Sequence, residues 1–157
     1  MIRDIRRNGA QPKDTMHKAE VAMVTGMGVV IKNSTTVALP SDETASNIYV
    51  TTKERIPTGI NAAKQNMSDY DEDFVNIAAG ELIGLERYTD GEKFATDQFK
   101  ASDFTDEAST GFAVSVGADG KWAKATVASK YVYDGIHNDN GHKLVMIRVE
   151  ADAVSNS

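Results

Sequence analysis

Phe112, Val114 and Val116 recur at every second position, which places all three side chains on one face of a strand. Gly117, Ala118, Asp119 and Gly120 come next, and an Asp-Gly pair takes the positive φ of a tight hairpin. The chain returns through Lys121, Trp122, Ala123 and Lys124, so the single tryptophan alternates with lysines and packs beside the Phe/Val face. The pattern predicts a hairpin from Gly111 to Ala125, and the rest of the chain reads as strands around it.

Upstream, Ala19, Val21 and Met23 alternate with Glu20, Ala22 and Val24. Helical spacing over Thr15–Val24 competes with this reading, and the β-branched Val21 and Val24 favour strand. Gly26 and Gly28 interrupt before Val29-Val30-Ile31, Asn33-Ser34 turns the chain, and Thr36–Leu39 returns until Pro40. Asn47–Arg55 is the next strand, with Ile48, Val50 and Thr52 on one face. From Pro57 to Ser68 the chain reads as a long loop with a helical turn at Asn61–Lys64. Phe74, Val75 and Ile77 form a strand that Ala79-Gly80-Glu81 turns into Leu82–Tyr88. Thr89-Asp90-Gly91 is a second hairpin signal before Glu92–Thr96. Lys100–Thr110 is a polar loop; Tyr131–Tyr133, a Gly/Asn-rich turn from Asp134 to Gly141, and Leu144–Val149 complete the series.

Eight to ten short strands separated by Gly, Asp and Asn turns predict an all-β fold. It is a mainly antiparallel β-sandwich or partly open barrel with little helix. Residues 19–150 form the body, and Phe112, Val114, Val116, Trp122, Val145 and Ile147 are its expected core. Residues 1–18 differ. Arg3, Arg6, Arg7, Lys13 and Lys18 outnumber Asp4 and Asp14, with only Ile2, Ile5, Ala10 and Met16 as apolar anchors. Gly9 and Pro12 break any regular element, so this stretch reads as an extended basic N-terminal arm. It orders on a partner, with a tail that has no role, or an arm folded on its own body, as the plainer readings. Residues 151–157 have little to bury and are expected to fray.

Composition narrows the chemistry. Length, at 157 residues, fits one domain, and a net charge of −6 argues against nucleic acid as the main partner. Without cysteine there is no disulfide, thiolate nucleophile or Cys-ligated metal. The N-terminal charges lead into no apolar run, so neither a signal peptide nor a membrane span is expected.

The candidate motifs weaken on inspection. Asp69, Asp71 and Asp73 alternate like the start of a calcium loop, but the glycine and glutamate that must follow are missing. A solvated acidic loop is the better reading, with an irregular divalent-ion or neighbouring-chain contact as its alternative. Gly26-Met27-Gly28 lacks the third glycine of a dinucleotide fingerprint, which leaves a bulge or a close backbone approach. His137, Asp139 and His142 lie in a hydrophilic turn, where a metal site is the less common outcome. No Ser/His/Asp nucleophile grouping is seen. The expectation is a protein with no catalytic residue, cofactor or structural metal.

The basic arm with Gly9 and Pro12 leads into Val29-Val30-Ile31. Later come Ala79-Gly80-Glu81-Leu82, Gly91-Glu92-Lys93-Phe94-Ala95 and Val116-Gly117-Ala118-Asp119-Gly120-Lys121. In layout and in these phrases the chain resembles structural proteins of tailed-bacteriophage virions, most of all the head decoration (capsid cement) proteins. The resemblance implies a β-rich, non-enzymatic oligomer, a trimer in this family, made in the host cytoplasm and carried on the virion. Such proteins clamp neighbouring major capsid proteins with the N-terminal arm. Arg3, Arg6, Arg7 and Lys13 are then the partner-binding residues, meeting acidic groups on the capsid. A tail-tube or baseplate subunit and a soluble ligand-binding β-barrel remain as alternatives.

Overall fold

The computed structural model describes residues 1–9, 13–53, 70–105 and 109–156. Among them lie thirteen strands: β1 (Ile2–Arg6), β2 (Asp14–Ala19), β3 (Met23–Val24), β4 (Gly28–Asn33), β5 (Thr36–Ala38), β6 (Tyr49–Thr52), β7 (Asn76–Ile77), β8 (Leu82–Glu86), β9 (Lys93–Thr96), β10 (Ala113–Val116), β11 (Trp122–Lys124), β12 (Ser129–Asp139) and β13 (His142–Val154). A single helical turn, α1 (Glu72–Val75), and a 3-10 turn at Ala101–Asp103 are the only helices among the described residues. The fold is all-β, as the alternation predicts.

The strands divide into a six-stranded sheet ordered β1-β9-β13-β12-β10-β11, a closed barrel ordered β2-β5-β4-β6-β8, and the small β3-β7 ribbon. Every ladder is antiparallel except β2 with β5. The central hairpin forms as expected: β10 pairs with β11 from Val114↔Lys124 to Val116↔Trp122. Gly120, at φ 76°, closes its turn by donating to the Gly117 carbonyl. Trp122, Val114, Val116, Val145 and Ile147 are buried in one cluster with Phe94, Phe104 and Tyr133. Phe112 is only half-buried at the rim of that cluster, because it precedes the strand.

Several expectations are corrected. β12 and β13 form one long hairpin whose turn is only Asn140-Gly141, both at positive φ as a two-residue turn requires. Residues 134–139, expected as loop, continue the strand. Phe74 and Val75 belong to α1 rather than to a strand. Thr89-Asp90-Gly91 is a turn but not a hairpin, since β8 belongs to the barrel and β9 to the sheet. Residues 151–156 do not fray: β13 runs to Val154, and the Asn156 amide bonds the Ala113 and Ala125 main chain. The loop over 57–68 and the helical turn at Asn61–Lys64 lie outside the described residues, as does Asp69.

The largest correction concerns the N-terminal stretch, whose described residues, 1–9 and 13–18, form no separate arm. β1 is an edge strand, paired with β9 from Ile2↔Thr96 to Arg6↔Lys93, and β2 is a barrel stave between β5 and β8. The reason is that Arg3, Arg7 and Lys13 are matched by distant carboxylates, and Met1 itself is buried.

Barrel and sheet meet at Gly26-Met27-Gly28, where the backbone at both glycines passes too close for a side chain. A Cβ on Gly26 would stand 2.6 Å from the Met1 carbonyl oxygen, and one on Gly28 would stand 2.4 Å from Val116 Cγ2. Gly26 also sits at φ 97°, a left-handed conformation that glycine alone adopts without strain. Gly80, at φ 81°, has open space around it. Gly26→Ala and Gly28→Ala are therefore expected to cost about 3 kcal/mol or more of unfolding free energy through clash and strain. Gly80→Ala, strained but unobstructed, should cost about 1 kcal/mol. Urea melts of the three variants check the ranking.

Candidate functional site

The exposed residues of β1 and the charge cluster beneath it form the candidate interface. The α-amino group of Met1 donates to the Thr25 carbonyl at 2.7 Å and pairs with Asp97 at 2.5 Å. Two strand residues further, Arg3 Nε donates to Asp139 Oδ2 at 2.8 Å. Arg7 lies over the Tyr88 ring, 4.3 Å from its centroid, and its guanidinium stands 3.6–3.8 Å from Asp4, Glu86 and Glu92. Lys13 pairs with Glu86 at 2.6 Å. Three of the four expected partner-binding residues are thus engaged inside the molecule. Arg6 is exposed and makes no ion pair with a described residue. Ile5 beside it is also exposed.

Glu92, with no exposed surface, is the buried anchor of this cluster. Burial alone would push its carboxyl up. Hydrogen bonds from the Thr89 and Asn8 amides, at 2.7 and 2.9 Å, and the Arg7 charge outweigh that and hold it below the usual carboxylate range. The Tyr88 hydroxyl donates to Asp4 at 2.7 Å and stands 3.1 Å from Glu86. Burial, then the Glu86 charge and the bond to Asp4, raise its phenol far beyond the ordinary value. The phenol stays protonated as a fixed donor. A cavity of about 210 Å³ borders the cluster, lined among others by Asp4, Lys13, Thr25, Lys53 and Glu86.

Glu86, Tyr88, Glu92 and Asp97 were missed at the level of sequence. Glu92 reads as the first residue of the strand after Thr89-Asp90-Gly91, and nothing in its neighbours indicates full burial. His137, Asp139 and His142 lie in the strands that flank the Asn140-Gly141 turn, with Asp139 opposite His142 and His137 opposite Leu144. Asp139 accepts from Arg3 and from the Tyr70 hydroxyl, at 2.8 and 3.1 Å, while His142 stacks on Tyr70 with centroids 3.6 Å apart. The Arg3 bond holds the Asp139 carboxyl low against some desolvation, and burial and Asp139 push the Tyr70 phenol up to about 12. No set of three His, Asp or Glu side chains converges on a metal position among the described residues. No described helix is long and apolar enough to cross a membrane.

No family model, no curated protein and no solved structure matches the chain.

Two outcomes follow from the cluster. Removing residues 1–8 strands Glu92, Asp97 and Asp139 without cations, leaves Glu86 with Lys13 alone and uncovers the edge of β9. Unfolding free energy should fall by about 3–5 kcal/mol, the scale of breaking buried pairs, as read in denaturant melts. The acid sensitivity of the fold has a definite sign. A glutamate whose folded pKa is depressed contributes stability above its unfolded value of about 4.3, lost as pH falls through the folded one. Glu92→Gln should therefore be less stable than the parent at neutral pH and lose less on acidification. Melting temperatures across that range measure the difference.

Proposed function

We propose that this protein is a non-enzymatic virion structural protein that decorates and stabilises a capsid by binding neighbouring major capsid proteins. The observation that carries the reading is β1. It is an edge strand whose outer side pairs with no described strand, seated by ion pairs and presenting Ile5 and Arg6 outward. An open edge is a template for strand addition by a partner. Because Met1, Arg3 and Arg7 already fix its geometry, a partner strand would bind a preordered surface. The layout likeness to head decoration proteins supports the same reading, with the body rather than a free arm as the docking element.

The barrel gives less support to a ligand-binding role inside it. Val29, Val37, Ile83 and Leu85 fill its interior as one packed cluster. A small barrel filled by side chains holds no ligand at its centre.

Co-sedimentation with undecorated capsids tests the proposal, with isolated tails as the comparison. The protein is expected in the capsid pellet, and as a trimer in solution. Arg6→Glu with Ile5→Ser should keep the melting temperature within a few degrees and weaken capsid binding about tenfold or more, a change of roughly 1.4 kcal/mol. Binding to tails but not capsids would assign the chain to the tail instead. Binding to neither would discard the virion role.

A further inference from the structure

A second surface lies on the other side of Tyr88, where the barrel and the six-stranded sheet border each other. Two adjoining depressions there, of about 430 and 390 Å³, share Ser46, Asn47, Arg87, Lys130 and Tyr131 in their walls and so form one groove. We propose that this groove binds an extended acidic segment of another protein. The inference stands whether or not the chain belongs to a virion.

Charge is the first argument. Arg87 is exposed and makes no ion pair with a described residue. Lys130 is half-exposed, and its nearest carboxylate, Asp90, is 3.9 Å away and more exposed still. The other acid in the wall, Glu43, is already spent on the Thr126 amide and hydroxyl and the Ser115 hydroxyl. Two cations are thus available in the groove of a chain whose net charge is −6. So small a number suits a few carboxylates, whereas a polyphosphate backbone draws on a broad basic surface.

The second argument is main chain. Ser46 and Asn47, which border both depressions, form the loop wall of the groove, and none of their backbone N–H or C=O groups is hydrogen-bonded to a described residue. Successive main-chain groups left unpaired beside a groove match those of an extended peptide. The floor is fixed: Tyr131 donates its hydroxyl to the Ile48 carbonyl at 3.3 Å and packs edge-on against Trp122. Main-chain pairing gives affinity without sequence, and Arg87 and Lys130 select acidic side chains.

The test uses the full chain and a fluorescein-labelled peptide of about ten residues alternating glutamate and threonine, long enough to span both depressions at roughly 3.3 Å per residue. A peptide with lysine in place of glutamate is the control. Fluorescence anisotropy should show the acidic peptide binding in the micromolar to low-millimolar range and weakening as salt rises. Its amide shifts in NMR spectra should centre on Ser46, Asn47, Arg87, Lys130 and Tyr131. Arg87→Gln combined with Lys130→Gln should leave the melting temperature in place and weaken binding about tenfold or more. The proposal is overturned by any of four results: equal binding of the lysine peptide, binding insensitive to the double variant, no binding of the acidic peptide, or shifts centred on β1. A dimer that the double variant abolishes in sedimentation would give the groove to a second copy of this chain and overturn it too.

Discussion

The structure depends on a backbone crossing. At Gly26 the main chain donates to the Thr51 carbonyl in the barrel, while its own carbonyl accepts from Thr96 Oγ1 and Trp122 Nε1 in the sheet. Met27 accepts from the Thr51 amide, and the Gly28 amide donates to the Gly120 carbonyl at the tip of the central hairpin. One short stretch therefore ties β6, β9 and the β10–β11 hairpin together. Side chains at Gly26 or Gly28 would separate the two halves, since a buried main chain must find all its partners within hydrogen-bonding distance. Burial of Trp122, Val116 and Met1 follows from how closely the halves meet.

That crossing was legible in the sequence only as a negative. Gly26-Met27-Gly28 fails as a nucleotide motif, and close backbone approach was what remained. Short-range signals read well: the alternation of Phe112, Val114 and Val116 and the Asp119-Gly120 turn are local rules, and the hairpin obeys them. Long-range pairing left no such trace. Arg3, Arg7 and Lys13 look unmatched in a basic stretch because their partners, Asp139, Glu92 and Glu86, lie far along the chain. Gly135 at φ 113° and the register shift beside it let β12 run on through a stretch whose composition signals a turn. Composition counts charges, and it does not say which of them meet.

The cluster around Glu92 also illustrates why charge at an edge strand serves geometry more than raw stability. Desolvating carboxylates and a guanidinium offsets much of their mutual attraction. What the arrangement supplies is register: Arg3 reaches Asp139 and Arg7 reaches Glu92 only when β1 lies along β9 as it does. Apolar contacts alone are more forgiving, because a slipped strand still buries something. Ile5 and Arg6 are held in a defined orientation by groups they do not themselves touch.

The pairing of Ile2 with Thr96 has a meaning in time as well as space. During synthesis the first strand leaves the ribosome with its hydrogen-bonding partner still unmade. Barrel staves β2 and β8 meet at His17 and Ile83, so the barrel has all its strands before β9 is complete. The six-stranded sheet has to wait longer, because β9 pairs next with β13, near the far end of the chain. Contacts so distant in sequence carry a large loop-closure cost and slow folding. Until β9 arrives, β1 is a charged, unpaired strand, and its arginines and aspartate are the kind of residues that keep such an edge from joining the wrong neighbour.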